Sequence, residues 1–219
     1  MNVLVLCDDY WHPARTVKEG LAPLSEAGFR FHFIEDAGAW SAAAMTEFPV
    51  VLLAKSNNVS ATDTSEWMTE DKEIAFVQYV DNGGGLLVVH SGSAGYAATP
   101  ALRGLIGGVF DHHPPQCQVT IIPDAGHPLS AGIDGFQVLD EHYHMLYDAA
   151  GDAGTTTLAV SQSQHGSQPA GWTRTAGAGR ICVLTPGHNL EVWLHPCFQI
   201  LLKNALQWCA GTTPSEARQ

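Results

Sequence analysis

Seven histidines fall at the ends of apolar runs or in glycine- and proline-rich loops: His12, His90, His112, His113, His142, His144 and His188. Imidazole changes charge near neutral pH and ligates divalent ions, so a convergence of these side chains would suit acid–base work or a metal ion. Singly, each is an ordinary polar loop residue. The segment DEHYHM, Asp140 to Met145, begins to sort them. Read as a strand, it puts Asp140, His142 and His144 on one face and Glu141, Tyr143 and Met145 on the other. His142 and His144, two apart, then have the projection of a metal-binding H-x-H pair, or else they lie on the solvent face of a half-exposed strand.

A second stretch, GGGLLVVHSGSAGY from Gly83 to Tyr96, runs from an apolar segment into His90-Ser91-Gly92-Ser93. It nearly matches the G-x-S-x-G nucleophile elbow, with Ser93 central and Ser91 in place of the first glycine. A serine hydrolase would also need an acid and then a histidine later in the chain. Asp134 or Glu141, followed by His188, meets that order.

The elements that would position these groups alternate. NVLVLCDD reads as a buried first strand, and His12-Pro13 opens a helix that ends at Gly28. FRFHFIED and PVVLLAKS follow as strands. A long amphipathic helix comes next, capped by Thr62 or Asp63, with Phe76, Val77 and Val80 on its apolar side, and GLLVVH is the fourth strand. Strand–helix alternation of this kind predicts an α/β, doubly wound, mostly parallel sheet. Ligands bind such sheets at the C-terminal ends of the strands. Those ends carry Asp8, Asp9, Glu35, Asp36, Lys55, Ser56, His90 and Ser91.

The second half predicts shorter strands, mostly antiparallel or edge additions: CQVTII, GFQVLDEHYHM, TTTLAVSQ, PAGWTRT and GRICVLTPGH. One C-terminal helix follows, with Trp193, Phe198, Leu201, Leu202, Ala205 and Trp208 facing the sheet. Arg174 to Arg180 joins two strands, so it reads as a hairpin turn rather than a phosphate loop, which would need a helix N-terminus. The expected organisation is a single domain over 1–211 and a flexible tail over 212–219.

Composition removes several classes of function. The formal net charge of -12 argues against a nucleic-acid partner. Hydrophobic residues at 45% supply a core without cross-links. Five scattered cysteines, an odd number without a CxxC, argue against a disulfide framework and fit a reducing compartment. No run reaches membrane-span length and MNVLVLCDD does not read as a signal peptide, so the cytoplasm is the expected location, with no membrane partner. A C2 homodimer is the commonest soluble assembly.

GGVFDHHPP, HPLSAGIDGFQVLDEHYHM and PAGWTRTAGAGRICVLTPGHNLEVWLHPCFQILLKNALQWCAG, in that order, resemble the ThuA-like (trehalose utilisation) family. The resemblance implies a class I glutamine-amidotransferase-like, flavodoxin-like fold and a role in the use of trehalose and related disaccharides through 3-keto intermediates. In amidotransferases the elbow holds a reactive cysteine. Here His90 stands at that place, which argues against thiol-based glutamine hydrolysis. The matching positions are His90, His113, Glu141 and His188, with His12 in the first-strand loop. His112, His142 and His144 match no family position.

The resemblance therefore implies a small carbohydrate substrate, with Glu141, His188 and His90 catalytic. His12, Trp11 and Tyr96 would contact the sugar, and Tyr10 or Trp172 could also stack on it. His113, His188 and His90 would hold a divalent ion, zinc foremost, unless the chemistry is metal-free. The remaining alternatives are a serine hydrolase using Ser93 and a non-catalytic sugar- or metal-binding module.

Overall fold

The computed structural model describes residues 1–212. Residues 213–219 of the expected tail lie outside the described part. Thr212 is tied down, its N–H and hydroxyl both donating to the Gln207 carbonyl.

Five strands carry the parallel part of the sheet: β1 (Asn2–Leu6), β2 (Arg30–Ile34), β3 (Val50–Leu53), β4 (Gly85–Val89) and, far along the chain, β11 (Gly179–Leu184). The connecting helices are α1 (Ala14–Leu21), α2 (Ala42–Met45) and α3 (Glu70–Asp81), with α4 (Pro100–Ile106) after β4. The antiparallel part comprises β6 (Cys117–Pro123), β7 (Phe136–Asp140), β9 (Thr155–Ser163) and β10 (Gly166–Ala176). A separate ribbon pairs β5 (Gly108–His112) with β8 (His144–Tyr147). The chain closes with α5 (Leu190–Trp193) and α6 (Pro196–Cys209).

The nine-stranded order is β2-β1-β3-β4-β11-β10-β9-β6-β7, a doubly wound sheet extended by antiparallel strands. Period-two alternation builds two cores. Val3, Val5, Leu87, Val89, Cys182 and Leu184 face α1, α5 and α6. Leu4, Leu6, Leu86, Val88, Ile181 and Val183 face α3 and α4.

Four differences from the sequence expectations bear on function. First, β11 is no edge addition: its apolar run is buried on both faces, and it lies parallel to β4 in the middle of the sheet. Second, DEHYHM is not one strand. β7 ends at Asp140, the chain leaves the sheet for three residues, and β8 starts at His144 in the other ribbon. Third, α3 begins after Thr69, not at Thr62 or Asp63. Those two residues belong to a turn on the Ser60 hydroxyl, and the Asn57 side chain holds the N–H groups of Trp67 and Met68 outside the helix. Fourth, the C-terminal helix is broken before Pro196, and Trp208 is only half-buried.

The hairpin between β10 and β11 is as expected, with Ala176 opposite Gly179. The turn after β4 is packed against β3: a Cβ added at Gly92 would stand 2.0 Å from the Leu53 carbonyl oxygen. Gly92→Ala should therefore destabilise the fold by about 2–3 kcal/mol or more, read from the urea midpoint. An unchanged midpoint would mean that the turn has room to move.

Candidate functional site

Four loops at one edge of the sheet bring the site together. They follow β1, β4, β11 and β7. The first three strands run parallel, so their C-terminal ends share an edge. Four successive antiparallel pairings lie between β11 and β7, and an even number restores the direction, so β7 also ends there. The Asp140 carboxylate joins the last two loops by accepting the N–H groups of Gly187 (2.9 Å) and His188 (3.0 Å).

His12, His90, Glu141 and His188 converge, each offering a ligand atom within 4.8 Å of the others. Glu141 Oε2 lies 3.1 Å from His188 Nδ1 and 3.4 Å from His90 Nε2. The three rings meet edge to face, with centroids 5.0–5.6 Å apart.

The outer nitrogens settle the tautomers of two rings. His90 Nδ1 is 2.8 Å from the Thr185 carbonyl oxygen, which can only accept, so Nδ1 carries the proton. His12 Nδ1 is 2.8 Å from the Asp9 carboxylate and is protonated for the same reason. In the neutral rings both Nε2 atoms are then bare lone pairs directed inward. They are buried and have no hydrogen-bond partner, as is also the case for His188 Nδ1. His90 is held with φ 47° and Asp8 with φ 73°, a strained conformation for residues with a Cβ.

Burial pushes the His12 imidazole below its ordinary value. Glu141 moves His188 the other way, upwards. Burial would raise the Glu141 carboxyl, but His188 and His90 outweigh it and hold the group well below the usual carboxylate range. Asp9 follows the same pattern. Burial opposes its charge, yet the His12 ring and the N–H groups of Ser56 and Trp11 lower it to about 2.

Above this cluster opens a cavity of about 570 Å³, walled by Trp11, Phe110, Tyr143, Asn58, Thr64 and Glu66, with His113 at its side. Among the described residues that line it there is no lysine, arginine or cysteine. Trp11 is 68% exposed at the mouth.

Several expected site residues stand elsewhere. His113 is outside the cluster: its Nε2 is 3.5 Å from Glu141 Oε1, and its Nδ1 donates to the Pro114 carbonyl. Tyr96 is 0% exposed and is locked in the core between the Trp67 indole and the Lys55 carbonyl, so it cannot contact a sugar. Trp172 is likewise buried, donating to the Ile106 carbonyl. Ser93 is 1% exposed and donates its hydroxyl to the His90 carbonyl, so it has no proton relay to an imidazole and cannot serve as the hydrolase nucleophile. His142 is neither exposed nor paired with His144 as a ligand set, because its two nitrogens bond Ser163 and Ser161. His144 stacks instead on His112 in the β5–β8 ribbon. Sequence reasoning missed the role of Asp9. The spacing Asp9-x-x-His12 was the available signal, since an aspartate accepts from N–H groups two and three residues on.

The family model described as "ThuA: Trehalose utilisation" matches residues 2–209, nearly the whole chain. The chain belongs to the ThuA family. No curated protein matches this ThuA chain in sequence. Its fold is similar to that of a ThuA-like protein from Parabacteroides merdae, at TM-score 0.78 and 16% identity, covering 100% of this chain and 93% of that one. A ThuA-like protein from Bacteroides uniformis gives TM-score 0.74 and 19% identity, covering 95% and 91%. A β-galactosidase from Rahnella sp. R3 contains the same fold in part, with TM-score 0.64, 15% identity, and 97% of this chain against 31% of that one. Among the described residues of the ThuA chain, no helix is long and apolar enough to cross a membrane.

The lowered Asp9 carboxyl gives a pH test. Its folded value of about 2 lies below the ordinary 3.8, so the stability it contributes is complete above 3.8 and is lost as pH falls towards 2. Wild type should exceed Asp9→Asn by on the order of 2 kcal/mol at neutral pH, and urea denaturation should show that gap closing through this window. A gap that does not vary with pH would contradict the assignment.

Proposed function

We propose that this ThuA chain acts on a small carbohydrate bearing a carbonyl, such as a 3-keto disaccharide, by metal-assisted acid–base chemistry, with His12, His90, His188 and Glu141 holding the ion. The observation that carries the reading is the cluster itself: the inward Nε2 of His90 lies 3.4 Å from a carboxylate that can only accept, and His12 offers a further nitrogen within 4.8 Å of the same group. Lone pairs facing a carboxylate are relieved by positive charge between them, supplied by a metal ion or by the extra proton of an imidazolium, and three converging rings favour the ion. Three imidazoles and one carboxylate are a donor set suited to zinc. Asp9 and the Thr185 carbonyl, each bonded to the outer nitrogen of a ligand ring, have the place of the groups that orient metal-bound histidines. When bound, the ion would supply positive charge to a substrate oxygen.

The chain's own residues do the rest. With Nδ1 donating to Pro114, His113 presents its Nε2 at the cavity wall, 3.5 Å from Glu141 Oε1, and it is the proposed proton carrier. Trp11 and Phe110 offer apolar faces for a sugar ring. The lack of lysine and arginine in the walls fits an uncharged substrate better than a phosphorylated one. The described cysteines are all free, in keeping with the proposed cytoplasmic location.

The zinc-loaded chain should be incubated with 3-keto-trehalose in D2O and followed by proton NMR. Wild type should exchange or convert the positions flanking the carbonyl, and His113→Ala should do so about 100-fold or more slowly. A wild-type protein that neither binds nor alters the sugar would contradict the proposal.

A further inference from the structure

We propose that the Tyr143 hydroxyl is a catalytic hydrogen-bond donor, aimed at the substrate oxygen that gains charge as the adjoining C–H bond breaks; this rests on the function proposed above.

Three observations place it. Tyr143 follows Glu141 by two residues in the crossing from β7 to β8, and it lines the cavity although it is only 2% exposed. Its ring is fixed on both sides. It stacks on His90 at 4.0 Å between centroids and 26° between planes, and Phe110 packs at 4.2 Å. Its hydroxyl, finally, is left free. The other two buried tyrosines, Tyr79 and Tyr96, donate to backbone carbonyls. Among the described residues no partner takes the Tyr143 hydroxyl, and that oxygen is not among the polar atoms sealed off without one. A buried phenol normally finds a partner inside the protein. Tyr143 also borders a small void beside Asp140, His142 and Ser161 that has no room for a water, so the cavity next to His90 and Glu141 is the space that can offer its hydroxyl a partner.

The step balances without a further reactant. His113 Nε2 takes the proton from the carbon beside the carbonyl. The C–H electron pair becomes a C=C bond, and the carbonyl π pair moves onto oxygen. Tyr143 keeps its O–H bond and directs it at that oxygen, where a donor fixed beforehand is worth more than water that must reorient. Return of the proton reverses the sequence.

Tyr143→Phe keeps the ring, and so the stack on His90, while removing the donor. Melting temperature and bound zinc should match wild type. In the 3-keto-trehalose exchange assay, kcat should fall about 100-fold with KM within about threefold, a split that loss of packing alone would not produce. Wild-type kcat in Tyr143→Phe would overturn the donor role and leave the proposed function standing. No exchange by wild type would overturn both. Should Tyr143→Phe fail to fold, protein labelled at tyrosine Cζ with carbon-13 gives a second reading over its five tyrosines. A Cζ resonance should shift on addition of 3-keto-trehalose, and a spectrum in which none moves would contradict the proposal.

Discussion

The site depends on one electrostatic constraint: acceptors are made to face acceptors. Asp9 and the Thr185 carbonyl take the outer protons of His12 and His90, and this turns two bare nitrogens into the cluster around the Glu141 carboxylate, that of His90 at 3.4 Å. Water would relax such an arrangement if the groups were exposed, but His90 is 1% exposed and the Nε2 atoms of both rings are sealed. The packing therefore holds an unfavourable set of lone pairs that a cation would convert into a favourable one. The strained φ of His90 belongs to the same constraint, since it is fixed at the end of a strand buried on every side.

The wider fold can be understood as what brings these loops to one edge. β1, β4 and β11 do so because they are parallel, as in other doubly wound sheets. β7 does so because of the parity of the antiparallel extension, and Asp140 then ties its end to the loop carrying His188. The crossing from β7 to the β5–β8 ribbon turns Glu141 and Tyr143 to the cavity and leaves His142 on the other side, pinned by Ser161 and Ser163.

Much of the first half was legible because its signals are local. Continuous apolar runs gave β1, β3 and β4; the left-handed Gly28 was legible as a stop, although it ends a 3-10 turn over Ala22–Ala27 and α1 itself stops at Leu21. The α/β class and the ThuA resemblance were legible for the same reason. Long-range features were not. Nothing in GRICVL states that it pairs with GLLVV across more than ninety intervening residues rather than lying at an edge. Alternation within DEHYHM put Glu141 and Tyr143 on one face, but it could not show that the strand stops at Asp140, because that depends on contacts with Gly187, His188 and β9. Tyr96 and Ser93 looked available because small, polar and aromatic residues after a strand often line a pocket. Their burial is set by Trp67 and Lys55 in one case and by the tight turn after β4 in the other.

The most direct test of the central claim is the metal content of the chain, purified without a histidine tag and without chelators and measured by mass spectrometry. The account predicts about one divalent ion per chain, zinc foremost, lost when His90 or His188 is replaced by alanine and retained in His112→Ala and His144→Ala. A metal-free protein whose melting temperature does not respond to added zinc, manganese or iron would contradict it.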